Sequence, residues 1–162
     1  MSTTYRTQID LSADVRTGAV ALLQARLSDG LDLEAQAKQA HWNVAGPNFI
    51  QLHELFDRVH AEIETFVDTI AERITTLSHI ADGRIKTTGA NSGLSTYPIE
   101  AATGDDHLKA LATVVAQFGK LAREDIGRAE SLGDTDTADL FTQISRATDK
   151  QLWLLEAYLR GR

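Results

Sequence analysis

The clearest regularity in the chain is a run of apolar residues, Leu52, Phe56, Val59, Ile63, Phe66, Ile70, Ile74 and Leu77, spaced by three or four positions without a break. That spacing places every member on one stripe of an α-helix. The segment before it repeats the pattern more loosely. Val15, Ala19, Leu22, Leu23 and Leu27 mark the buried stripe of a helix predicted from Ser12, an N-cap with Asp14 in its first turn, to about Trp42. Gly18 and Gly30 lie inside it and each costs about 1 kcal/mol against Ala, so tertiary packing must hold this helix. Asn43 to Pro47 reads as a short turn, and Asn48 as the cap of the second helix. From about Asp82 to Thr103 the pattern dissolves into Gly, Thr, Ser and Asn, with a short helix expected around Thr88 to Gly93. A third helix follows Thr103, where Asp106 completes a box-like cap, and Leu108, Leu111, Val115, Phe118 and Ala122 point inward. Gly133 closes it. The fourth runs from about Asp136 to Leu159 and buries Phe141, Ile144, Leu152 and Leu155.

Short loops join the first and last pairs of helices, so each pair is expected to be antiparallel. The middle connection of roughly 20 residues reaches over 60 Å when extended at ~3.3 Å per residue. That crosses a bundle ~40 Å long, as a ferritin-like topology requires and an up-down-up-down bundle does not. The expected fold is all-α: a ferritin-like four-helix bundle with a long crossover, carrying a short extra helix, between helices 2 and 3. One domain is expected over 1–162, with short tails at 1–11 and 160–162.

Composition narrows the chemistry. With no cysteine, disulfide and thiol chemistry are excluded, and Met1 is the only methionine. No apolar run approaches the ~18 residues of a membrane span. The N-terminus lacks the order of a signal peptide, so the cytoplasm is the expected location. A formal charge of −7 argues against a broad nucleic-acid-binding face.

The charged side of the second helix carries the candidate chemistry. Counting ~100° per residue from Leu52, His53, Asp57, Asp68 and Glu72 fall at about 100°, 140°, 160° and 200°, away from the apolar stripe. A di-iron site of inward-facing Glu and Glu-x-x-His is therefore ruled out on this helix. Outward charges are ordinarily a solvated face. Here, however, the four residues are separated by four, eleven and four positions, a spacing that reads the same from either end. Asp57 and Asp68 lie about 16 Å apart on one helix, too far to share a metal. A second copy packed antiparallel about a two-fold axis near Glu62–Ile63 pairs His53 with Glu72 of the partner subunit, and Asp57 with Asp68 of the partner subunit. Ala61 and Thr65 lie near that crossing and permit close approach. With His41 the set offers imidazole and carboxylate donors without thiolate, suited to Fe(II), Mn(II) or Zn(II).

The run Ala37-Lys38-Gln39-Ala40-His41-Trp42-Asn43-Val44-Ala45-Gly46, then Phe49, Leu52-His53-Glu54, Asp57, Asp68 and Ala71-Glu72-Arg73, resembles the Dps family of mini-ferritins. The likeness continues through Asp106-His107-Leu108-Lys109, Asp136-Thr137-Ala138-Asp139 and Asp149-Lys150-Gln151-Leu152-Trp153. It implies a hollow dodecamer with ferroxidase sites at its two-fold interfaces. His41, His53 and Asp57 match the ligands given by one subunit, and Asp68 and Glu72 those given by its partner. The resemblance implies Fe(II) uptake, oxidation by hydrogen peroxide in preference to oxygen, and storage of ferric mineral inside. Zinc and manganese are the competing metals. Trp42 resembles the family's site-adjacent tryptophan, with helix-end packing as its alternative role. Asp139 matches a carboxylate lining three-fold pores, and Asp134 is either a second such group or a plain helix cap. His60 is read as a secondary ligand or an interface side chain, while His79 and His107 lack carboxylate partners at helical spacing. Glu54, Glu62 and Glu64 are read as mineral-nucleating groups or a charged wall. The family's alternative role, DNA binding through a lysine-rich N-terminal tail, is not expected. Met1 to Ser12 holds no lysine and only Arg6, and the C-terminus offers Arg160 and Arg162.

Overall fold

The structure is a computed structural model and describes residues 5–160. It contains α1 (Ala13–Asn43), α2 (Phe49–Thr76), α3 (Ile85–Asn91), α4 (Gly104–Leu132) and α5 (Thr135–Leu159), with no strand among the described residues. The ends follow local chemistry. The Ser12 hydroxyl accepts from Val15 N, and Thr103 and Asp106 form a reciprocal capping box at α4. Asn48 sits at the start of α2 but makes no side-chain cap bond. α5 opens one residue earlier than expected, because Asp134 is its cap and accepts from Thr137 N at 3.0 Å.

Gly133 ends α4 in the left-handed region, at φ 88°. Its amide donates to the Glu130 carbonyl and that of Asp134 to Ala129, the paired bonds of a Schellman close. Gly133→Ala is expected to cost about 1 kcal/mol from the clash of Cβ in this conformation. Urea unfolding reads it, and an unchanged midpoint would remove the strain argument.

The chain's direction through the bundle follows from two contacts. A Cβ on Gly104 would lie 2.6 Å from Leu52 Cδ1, so α4 begins where α2 begins. Arg73, near the end of α2, donates to Asp134 Oδ1 at 2.7 Å, so α5 begins where α2 ends. The connection between α2 and α4 therefore runs back along the bundle. It is fastened to one polar edge of α1: Gln24 exchanges two bonds with the Asp82 backbone, Asp29 accepts from Gly93 N, Asp32 from Ser92 Oγ, and Gln36 donates to Ser95 O. The short helix begins three residues earlier than expected. Asp82 binds Arg84 and Thr87 at its start, and the Gly93 amide is drawn out to Asp29 past its end.

The core is Leu23, Leu27 and Leu33 of α1, the α2 stripe, and Leu108, Leu111, Phe118, Phe141 and Ile144 opposite. Val15, Leu22, Phe66 and Leu152 are only half-buried, at its margins. Within the bundle, Arg26 bridges Asp29 at 2.8 Å and Asp125 at 3.2 Å, and the two carboxylates are each 1% exposed. Arg128 reaches Asp125 from the rim at 2.9 Å. Burial pushes the Asp125 carboxyl up in pKa, and the two guanidinium groups oppose this.

Candidate metal centre

His41 lies in the last turn of α1 and His53 in the second turn of α2, facing each other across the short Asn43–Pro47 turn. Their rings stack with centroids 3.6 Å apart. Each Nδ1 is 2.8 Å from the other residue's backbone carbonyl oxygen. A carbonyl only accepts, so each Nδ1 carries the proton and each neutral ring keeps its lone pair at Nε2. This is how a metal-binding imidazole is commonly oriented: the second nitrogen is tied to a backbone oxygen, fixing both tautomer and ring plane.

Asp57 is one turn beyond His53, half-exposed, with Oδ1 3.9 Å from His41 Nδ1. The Lys38 ammonium is hydrogen-bonded to Asp57 and holds its carboxyl below the usual carboxylate range, so the group stays anionic. Lys38 thus sits on one carboxylate oxygen of Asp57, Oδ1, where a cation is favoured. The sequence reading missed Lys38, although its position three residues before His41 placed it on the same helix face.

Asp68 and Glu72 are exposed, farther along α2, and among the described residues they form no metal-ligating cluster with the histidines. The described residues therefore place His41, His53 and Asp57 near one another and leave Asp68 and Glu72 apart from them. Glu72 lines a groove between α2 and α5 that it shares with Arg73, Asp136 and Asp139. Asp139 is exposed, and one of its carboxylate oxygens accepts from Gln143. Asp134 is different. It is buried, one oxygen taking Arg73 and the Thr137 amide and the other the Thr137 hydroxyl. Of the two readings of Asp134, the structure shows the plain helix cap, with both carboxylate oxygens engaged inside its own subunit.

Trp42 is 68% exposed, so helix-end packing within its own chain does not account for it. Phe49 and Ile50, at the start of α2, are exposed as well, and the Phe49 ring lies 4.9 Å from that of His53. The histidine pair is thus bordered by apolar side chains that the chain itself does not cover. His79 is buried against the Leu77 carbonyl, and His107 against the Tyr97 hydroxyl at 2.5 Å, and among the described residues neither joins a metal-ligating cluster.

Residues 20–161 match the ferritin-like domain family. Over 157 residues the chain is 36% identical to the DNA protection during starvation protein of Agrobacterium fabrum, covering 97% of each. Among solved structures, Mycobacterium smegmatis Dps in its tetragonal form superposes with a TM-score of 0.90 at 32% identity, over 96% of this chain and 94% of that one. Dps from Microbacterium arborescens in the high iron form gives 0.85 at 32% identity, over 91% and 96%. Fold, length and identity agree across these comparisons, and the chain belongs to the DNA protection during starvation (Dps) family of ferritin-like proteins.

Proposed function

We propose that this chain is a subunit of a hollow homo-oligomer, a dodecamer, that takes up Fe(II), oxidises it at sites shared between two subunits and retains the ferric product inside. The observation that carries this reading is the stacked pair His41 and His53, whose Nδ1 atoms are committed to backbone carbonyls while Nε2 is left to bind. Asp57 completes one half. Asp68 and Glu72 supply the other from the partner, because eleven positions of helix separate Asp57 from Asp68. The uncovered Trp42, Phe49 and Ile50 favour burial against another subunit. Asp139, close to Glu72 in the same groove, is the group proposed to line a pore. Trp42 is proposed to intercept stray oxidising equivalents near the centre.

The preferred oxidant in this proposal is hydrogen peroxide, with oxygen slower. Two Fe(II) ions each give up one electron, the peroxide O–O bond breaks, and both oxygens leave as hydroxide or water. No hydroxyl radical is released, and the protein protects by removing both reagents that form it, inside the cytoplasm. Imidazole and carboxylate donors also admit zinc and manganese, which should compete with iron. Anaerobic Fe(II) loading followed by titration of peroxide or oxygen tests the reading. Two Fe(II) consumed per peroxide, faster than with oxygen, is the expected result; oxidation no faster than in protein-free buffer would defeat it.

Protection by contact with DNA is not part of the proposal. The assembled protein, at a formal −7 per chain, should leave duplex DNA unshifted at about 150 mM salt in metal-free buffer, where weak phosphate contacts are suppressed. A retarded band would reverse this. Residues 1–4 and 161–162 of the tails lie outside the described residues. From Tyr5 the N-terminal segment is bonded back to Ser78.

A further inference from the structure

The face of α2 that bears His53 and Asp57 carries a second histidine, two turns on. His60 lies at about 80° and Glu64 at about 120° in the count from Leu52, one on each side of His53. From α1, Glu34 meets them, and one ligand atom from each of Glu34, His60 and Glu64 lies within 4.8 Å of the others. His60 Nδ1 is 3.3 Å from the Glu34 backbone carbonyl oxygen. This is the bond across to the neighbouring helix that His41 and His53 also make, and with the proton on Nδ1 it leaves the lone pair of the neutral ring at Nε2.

The charges around this trio are unbalanced. The only ion-pair contact of Glu34 among the described residues is His60, at 3.9 Å, and no Lys or Arg pairs with Glu64 there. Lys38, one turn from Glu34, has its ammonium on Asp57. Burial pushes the Glu34 carboxyl up in pKa; Glu64 adds to this, while His60 and Lys38 oppose it. Two carboxylates are held together beside an oriented imidazole, and a cation placed among them would relieve their repulsion.

We propose that Glu34, His60 and Glu64 form a second divalent-metal site, distinct from the His41–His53 centre and built by a single chain. One imidazole nitrogen and two carboxylates suit Fe(II), Mn(II) or Zn(II) with positions left for water. Calcium and magnesium, which take oxygen ligands, fit less well. The site lies about 10 Å along α2 from His53, so it holds a cation on the same face without sharing a ligand with the centre. Its ligands all come from one chain, and it stands or falls independently of the two-subunit centre.

Zn(II) is the probe, since it has no redox chemistry to complicate the count. In assembled protein carrying His41→Ala and His53→Ala, calorimetric titration should still register this site. Adding Glu34→Gln and Glu64→Gln should lower the stoichiometry by one Zn(II) per subunit. Adding His60→Gln alone should weaken that same event at least about tenfold, as loss of a direct ligand requires. Glu64 is exposed, so Glu64→Gln alone, which should weaken the event as His60→Gln does, serves should the double change prevent assembly. Zn(II) stoichiometry and affinity equal in the parent and in these variants would overturn the site. Failure of the two-subunit centre would show separately, as Fe(II) oxidation unaffected by the two histidine replacements.

Discussion

Subunits carrying His53→Ala, co-assembled with an equal amount carrying Asp68→Ala and Glu72→Ala, should recover roughly a quarter of the Fe(II)-oxidising sites, though each parent alone is nearly inactive. The expectation rests on the proposed division of the centre between two subunits. The structure gathers His41, His53 and Asp57 at one end of α2 and leaves Asp68 and Glu72 exposed toward the other. In a mixed pair, one site takes its histidine half from the acidic-residue variant and its acidic half from the histidine variant, and is whole. The other site lacks both. Random mixing gives each half an even chance of being intact, and the product is about one quarter for isologous pairing. Oxidation rates are compared with those of the parents after mass spectrometry confirms mixing. A mixture no faster than either parent would sink the two-subunit centre, because ligands drawn from one chain cannot complement.

Arg26→Met should destabilise the subunit by about 3–5 kcal/mol, the usual result of removing one partner from a buried ionic network. At this chain length that lowers the melting temperature by on the order of 10 °C. The methionine keeps most of the side-chain volume, so the loss reports charge. Without Arg26, Asp29 and Asp125 face each other, each 1% exposed, and Arg128 alone remains to offset Asp125. The deficit has a definite pH dependence. Burial already raises the folded-state pKa of Asp125, and removing a cation raises it further. A group whose pKa is higher folded than unfolded favours the folded state as protons are added, so the deficit should shrink between pH 8 and pH 5. Arg128→Ala, with its 60% exposed side chain, should cost under about 1 kcal/mol. Equal melting temperatures for Arg26→Met and the parent would show that the network contributes nothing to stability.

The sequence by itself determined the helices, and it did so wherever one face alone is buried. The α2 stripe from Leu52 to Leu77 is buried as its spacing requires, except for Phe66 at the margin. The outward direction of His53, Asp57, Asp68 and Glu72 follows from the same count. Thr103 with Asp106, and Gly133, also act where they were read, because caps depend on a few adjacent residues. α1 was harder to read. It is covered by the bundle on one side and by the crossover on another, so Gln24, Asp29, Asp32 and Gln36 are polar for reasons no periodicity contains.

Only the tertiary structure decided what depends on two segments meeting. The carbonyl bonds that fix the tautomers of His41 and His53 arise between residues twelve positions apart. The hold of Lys38 on Asp57 spans nineteen positions, and the approach of Glu34 to His60 spans twenty-six. Helical spacing fixes neighbours within one turn or two. The packing of one helix against another fixes which carboxylate finds a lysine and which is left beside an imidazole, because that depends on the separation and rotation of the two axes.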